Sequence, residues 1–254
     1  MDELAVAIEA ARRGAAVVAS AIGQSATARF KSRGNPVTEA DQTSETAIVE
    51  FISSRFPEDG LVAEEGAKDD WQQGRVWVID PLDGTVNFLH GVPQIAVSVA
   101  FWDGGEGRAG VVIDVTRGEE FSAAAGGGAF LNQTPISVST TETLEDALVG
   151  TGFAYDRHQR SEWYGSRIEK MLRTVQDIRR AGSAALDLVW VAAGRYDAFW
   201  EEQLAPWDVA AASVIIKEAG GMVTDLEGNH HRLDASGVVA SNRVLHLDLL
   251  EALG

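Results

Sequence analysis

Residues 75–126 hold four apolar runs separated by short polar turns, and this block limits the fold more than any other part of the chain. "RVWVID", "IAVSVAFW", "RAGVVIDVT" and "EEFSAAAG" are rich in Val, Ile, Phe and Trp and read as buried strands. The Gly-rich "DGGEG" and the "TRG" turn connect the last three. "LVAEEG", just upstream, reads as another short strand. Outside the block the periodicity changes. Leu4, Ala5, Ile8, Ala11, Ala15, Val18 and Ile22 recur at helical spacing, which predicts a helix over 3–22. "KSRGNPV", with Gly34 and Pro36, predicts a turn. Thr38 then caps a second helix with Ile48, Val49, Ile52 and Phe56 on its buried face, stopped before Pro57. Residues 157–175 and 183–193 read as helices and "YDAFWE" as a strand. A helix over 206–219 enters through Pro206 and ends at Gly220-Gly221. Two helices, a strand-rich middle and then alternating helix and strand predict a layered αβ protein with large mixed sheets. No repeat or linker divides residues 1–254, so one covalent unit is expected.

Composition narrows the function classes. Apolar residues make up 45 % of the 254, ample for a core. No apolar run approaches the ~20 residues that span a bilayer. The opening "MDELAVAIEAARRG" places acids before its apolar positions, unlike a secretory signal. The absence of cysteine excludes disulfides, thiolate nucleophiles and Cys-ligated metals, and fits a cytoplasmic location. A net charge of −17 argues against a direct nucleic-acid surface and is compatible with cation binding. Lysine occurs only at 31, 68, 170 and 217. Such an acid-rich, lysine-poor balance fits a high-salt cytoplasm and a GC-rich genome equally.

The acids are most informative where they meet strand ends and helix starts. In "WVIDPLDGTVNF" a buried run breaks into Asp80 and Asp83, three residues apart. A carboxylate near a core is costly unless positive charge sits beside it. Glu64-Glu65-Gly66 follows the apolar "LVA", and Asp208 lies in the first turn of "APWDVAAASVIIKEAGG". Singly, Asp208 reads as well as a helix cap or dipole partner, and Asp83 as a turn residue. Together they point to a cation. Pro81 fixes the relation of Asp80 to Asp83, and Gly84 permits a ligand to approach the backbone. Carboxylates and a backbone carbonyl are the oxygen ligands Mg²⁺ accepts. His230 and His231 sit in a Gly-Asn turn and read as solvated loop; Phe88 reads as core and Trp207 as a packing anchor.

"WVIDPLDGTVNF", with "AEEG" upstream and "WDVAAASVIIKEAGG" downstream, resembles the inositol monophosphatase family, within the Mg²⁺-dependent, lithium-sensitive sugar phosphatases. The resemblance runs over essentially the whole chain. It implies a layered αβαβα sandwich, shared with fructose-1,6-bisphosphatase-like proteins, and a cytoplasmic homodimer. It implies that Glu64, Asp80 and the carbonyl of Leu82 hold one Mg²⁺, that Asp80, Asp83 and Asp208 hold a second, and that Glu64 helps with a weaker third. Gly84 and Thr85 would offer backbone N–H groups to the phosphate at a helix start. Thr85 and Asp41 would form a dyad that orients and deprotonates the attacking water. Lys31 belongs to a turn near the site in the family; an exposed turn lysine is the plain alternative.

On the substrate side the resemblance assigns Ser183, Ala184 and Glu201 to the hydroxyl groups of a polyol, with Glu64, Leu82, Asp83 and Asp208 also in reach. Arg179 would line the pocket or an interface, against the plainer reading of a surface ion pair. Val86 stands where the family often has Thr, and the segment from Lys31 to Asp41 is compact. The implied reaction is hydrolysis of a small phosphate ester, foremost inositol 1-monophosphate, by a metal-activated water. Fructose 1,6-bisphosphate, histidinol phosphate and 3′-phosphoadenosine 5′-phosphate phosphatases share the architecture. A non-catalytic partner protein in RNA metabolism is the alternative of another class.

Overall fold

Asp2 opens the first helix, α1 (Glu3–Ala21), by accepting a hydrogen bond from the Leu4 N–H at 3.2 Å. Small residues on its buried face (Ala7, Ala10, Ala11, Ala15) let it lie close against α2 (Glu39–Arg55), which contributes Ile48, Phe51 and Ile52. A two-stranded antiparallel ribbon of β1 (Arg29–Ser32) and β2 (Asn35–Val37) lies between them in sequence. The computed structural model describes residues 2–24, 28–32, 35–66 and 69–254; Gly34, expected in a turn, lies outside the described residues.

The strand-rich middle builds a seven-stranded sheet from β3 (Gly60–Ala63), β4 (Arg75–Asp83), β5 (Ala96–Asp103), β6 (Glu106–Asp114), β7 (Glu119–Ala124), β8 (Ala129–Leu131) and β9 (Thr134–Ile136). Its strands follow chain order; β3 and β4 are parallel and the remaining pairs antiparallel. The second half builds a five-stranded sheet from β10 (Leu148–Thr151), β11 (Asp177–Arg179), β12 (Ala198–Glu202), β13 (Met222–Thr224) and β14 (Gly237–Ser241), in the order β11-β10-β12-β14-β13. The helices α3 (Thr85–His90), α4 (Ser161–Thr174), α5 (Ala184–Ala192), α6 (Pro206–Glu218) and α7 (His246–Leu253) complete the set.

Alternation along the strands sets the layers. On β4, Trp77 and Ile79 face α1 and α2, while Val76 and Val78 face a central layer with Leu186 of α5 and Ile215 of α6. On β12, Phe199 faces that same central layer, and Ala198 and Trp200 face outward to Met171 of α4 and Leu249 of α7. The result is the expected αβαβα sandwich. Among the described residues no helix is long and apolar enough to cross a membrane.

Two boundaries differ from expectation. The helix expected over 157–175 begins only at Ser161. The preceding residues turn back on Asp156, with Arg160 held to Glu202 at 2.9 Å. The strand expected to end at Asp80 continues to Asp83, and its irregularity matters most for the site. Asp80 pairs with Ser98 and Asp83 with Ala96, so three steps on β4 oppose two on β5. That extra residue is a β-bulge. In a regular strand, residues three apart face opposite sides. The bulge cancels the half-period and returns Asp83 to the side of Asp80, toward the central layer.

Candidate active site

A cavity of about 550 Å³ opens where β4 ends between the two sheets. Glu64, Asp80, Leu82, Asp83, Gly84 and Thr85 line it from the first half of the chain. Ser183, Ala184, Glu201 and Asp208 line it from the second. Residues separated by more than a hundred positions therefore share one wall.

Asp80, Asp83 and Asp208 each offer a carboxylate oxygen, all within 4.8 Å of one another. One oxygen of each is pinned. Asp80 Oδ1 accepts from the Leu82 N–H at 3.0 Å, Asp83 Oδ2 from Ser183 Oγ at 2.5 Å and the Ala185 N–H at 2.8 Å, and Asp208 Oδ2 from the Ala205 N–H at 2.7 Å. Burial, reinforced by the charges of Glu64, Asp83 and Asp208, holds the Asp80 carboxyl well above the usual carboxylate range. Burial and Asp83 do the same to Asp208. Burial also raises Asp83, against the hydrogen bonds from Ser183 and Ala185. Among the described residues no Lys or Arg forms an ion pair with any of the three. Three mutually repelling carboxylates with pinned orientations, withdrawn from bulk water, fit a divalent cation, which takes oxygen ligands and offsets their charge.

Glu64 lies at the edge of this cluster, where β3 ends. Burial pushes it up to about 6, and Lys31 opposes the shift. Lys31, on β1, donates to Glu64 Oε1 at 2.9 Å and also pairs with Glu65. It is engaged with the acids of the site rather than free in solvent, and it sits behind Glu64 instead of lining the cavity.

The turn after β4 depends on Gly84, whose φ of 90° belongs to the left-handed region. It starts the short α3 with Thr85. Thr85 Oγ1 lies 3.1 Å from Asp41 Oδ1 and 3.2 Å from the Leu82 carbonyl, and its single proton serves one of them at a time. Asp41 is 1 % exposed, and its Oδ2 accepts from Thr38 N at 2.8 Å and Thr38 Oγ1 at 2.5 Å. It therefore closes the first turn of α2 and reaches the cavity only through Thr85. Burial raises its carboxyl, and the bonds from Thr38 and Thr85 pull it back.

At the far end Ser183 is the N-cap of α5, its Oγ accepting from the Leu186 N–H at 3.4 Å, and Ala184 is the first helical residue. Glu201 projects from β12 on the Phe199 side. It is 8 % exposed, and burial pushes its carboxyl up to about 8, with Arg180 opposing. Gly152 makes room for it: a Cβ there would overlap the Glu201 carboxylate.

Arg179 does not line the cavity. It is exposed and pairs with Asp177 at 2.6 Å, the plainer of its two readings. The next residue, Arg180, turns the other way and takes the rim. Asp187, Phe153, Tyr155 and Arg157 also line the cavity and were missed by sequence reasoning. Asp187 alone left a signal, as an acid inside the apolar run "AALDLVWVA". His231, expected in solvated loop, is 8 % exposed. An isolated bridge between Thr224 and His230 draws that segment against the second sheet.

Comparison with known proteins agrees with this geometry. The model of the inositol monophosphatase family matches residues 1–254. The Nus factor SuhB of Pseudomonas aeruginosa is 44 % identical over 211 residues, covering 81 % of this chain and 78 % of that protein. The inositol-1-monophosphatase of a Synechocystis species is 40 % identical over 256 residues, covering 98 % of this chain and 88 % of that protein. The solved IMPase of Thermotoga maritima superposes with a TM-score of 0.92 at 36 % identity, covering 100 % of this chain and 97 % of that one.

Proposed function

Because the chain belongs to the inositol monophosphatase family, we propose that it is a Mg²⁺-dependent phosphomonoesterase acting on a small polyol phosphate, foremost inositol 1-monophosphate. The observation that carries this reading is the set of three carboxylates, buried at Asp80 and part-buried at Asp83 and Asp208, that lie within 4.8 Å on the wall of an open cavity. Asp80, Asp83 and Asp208, with Glu64 and the Leu82 carbonyl, are the groups that would hold two to three Mg²⁺. When bound, Mg²⁺ offsets the charge developing on a transferring phosphoryl group and lowers the pKa of a water.

The chain's own groups supply the rest. Thr85 Oγ1, donating to Asp41 Oδ1, keeps a lone pair for a water in the cavity. It accepts that water's proton while passing its own to Asp41. The backbone N–H groups of Gly84 and Thr85, at the start of α3, face an anion. Ser183 fixes Asp83, and Ala184 brings the start of α5 to the alcohol side. Glu201 accepts hydrogen bonds from polyol hydroxyls, and its neutral form at physiological pH can also donate one. The resemblance further supports a cytoplasmic homodimer and inhibition by Li⁺.

The test is phosphate release from a panel of polyol, sugar and nucleotide monoesters, with Mg²⁺ and with EDTA. Turnover that needs Mg²⁺ and favours polyol esters is expected. Absence of turnover on every ester would favour the second reading, a non-catalytic partner in RNA metabolism, which the relative named Nus factor SuhB supports.

A further inference from the structure

Asp187 occupies the first turn of α5, a helix otherwise made of Ala, Leu, Val and Trp. The residue is 1 % exposed, and its Oδ1 is buried with no hydrogen-bond partner among the described residues. The same side chain lines the cavity. A carboxylate left this way costs stability, because burial removes its water and nothing replaces it. Its neighbours say what is missing. Arg180, at the rim, already supplies a positive field to both Asp187 and Glu201, and the start of α5 adds the positive end of its dipole. The groups facing Asp187 besides Arg180 are the carboxyls of Asp83 and Glu201, which give a further anion no partner. The remaining complement is a neutral group that donates hydrogen bonds, and a hydroxyl is the group a polyol brings.

We propose that Asp187 is a second specificity-determining residue, accepting a hydrogen bond from a hydroxyl of the alcohol part while Glu201 engages another. The cavity then reads two hydroxyls. This inference rests on the phosphatase reading above. It also explains why the N-terminal turn of α5 keeps a carboxyl that its packing does not need.

The experiment compares the polyol ester that the wild type hydrolyses best with p-nitrophenyl phosphate, which has no hydroxyl. Asp187→Asn keeps the shape and changes the acceptor; Asp187→Leu removes the acceptor and fills the volume. Both should lower the polyol-to-p-nitrophenyl ratio of kcat/KM by about 10- to 100-fold, the range for a lost charge-assisted bond. Thermal midpoints in EDTA should stay level or rise, since a buried carboxyl without a partner has been removed. A ratio within about twofold of wild type in both variants would reject the role of Asp187 alone. So would parallel loss on both esters with a lowered midpoint, which marks a structural residue. A wild type that hydrolyses neither ester would overturn the phosphatase reading and this inference with it.

Discussion

Glu201 offers a sharp test because it links the pH dependence of stability to the substrate end of the cavity. Its carboxyl stands near 8 in the folded chain, against a reference of 4.5, and burial is the main cause. Arg180 only partly offsets that cost. Below the reference value both states hold the proton and Glu201 is neutral in its effect. Between 4.5 and 8 the unfolded chain releases the proton and the folded chain keeps it, so stability falls as pH rises. The full loss is the shift multiplied by ~1.4 kcal/mol per unit, about 5 kcal/mol. Glu201→Gln carries no titrating proton and should escape this loss. From pH 5.5 to 8.5 the variant should gain about 3 kcal/mol relative to wild type, or roughly 6–12 °C in Tm for a chain of this size. Urea unfolding in EDTA at both pH values, on both proteins, measures it. A stability difference that does not change with pH would refute the reasoning, because it would mean that Glu201 ionises as freely when folded as when unfolded. Loss of polyol selectivity in the same variant would place its stabilisation and its lost function in one side chain.

Other outcomes follow from the same geometry. Asp80→Asn and Asp83→Asn should each abolish Mg²⁺-dependent turnover and weaken Mg²⁺ binding by calorimetry; unchanged affinity in either would remove that residue from the cation site. Thr85→Ala should lower kcat by ~10²- to 10⁴-fold with little change in substrate binding, and near-normal kcat would exclude the Thr85–Asp41 pair from proton transfer. His231 has the opposite sign to Glu201. Burial lowers it to about 4, so its contribution is present above 6.5 and lost as pH falls toward 4. The loss amounts to roughly 3 kcal/mol, and His231→Gln should flatten it in acid unfolding curves; an unflattened curve would mean the imidazole is solvated.

Much of this was legible in the sequence, for identifiable reasons. The long helices announce themselves through the spacing of apolar residues from Leu4 to Val18 and from Ile48 to Ile52. Strands β4 to β7 do so through apolar runs ended by Gly-rich turns. The acids at 64, 80, 83 and 208 were conspicuous because each interrupts an apolar context. Strands of three residues, such as β8 "AFL", β9 "TPI" and β11 "DIR", carry too few positions for any period; they exist because neighbouring strands pair with them. The bulge was invisible for a related reason: nothing in "VIDPLDG" specifies that β5 opposes it one residue short. Arg180 and not Arg179 reaches the cavity because alternation at the end of β11 decides it, and the position of that end comes from pairing with β10. His231 is drawn in beside a bridge from its neighbour His230 to Thr224, six residues back, which the apolar pattern of the segment does not mark.

Asp41 and Asp208 share a feature that bears on how the protein holds itself together. Each is the third residue of a helix, and each takes the backbone N–H that precedes it, at Thr38 and at Ala205. The first turns of α2 and α6 are thus closed by side chains that also serve the cavity. Fraying of either turn and dismantling of the site are one event. A ligand that needs these carboxylates in place selects against the frayed state in proportion to its occupancy. Amide exchange at Thr38 and Ala205 should therefore slow as Mg²⁺ is added, while amides in the middle of β6 remain indifferent. The two helix starts act as labels already installed in the backbone, through which occupancy of the cavity can be followed without an added probe and without turnover.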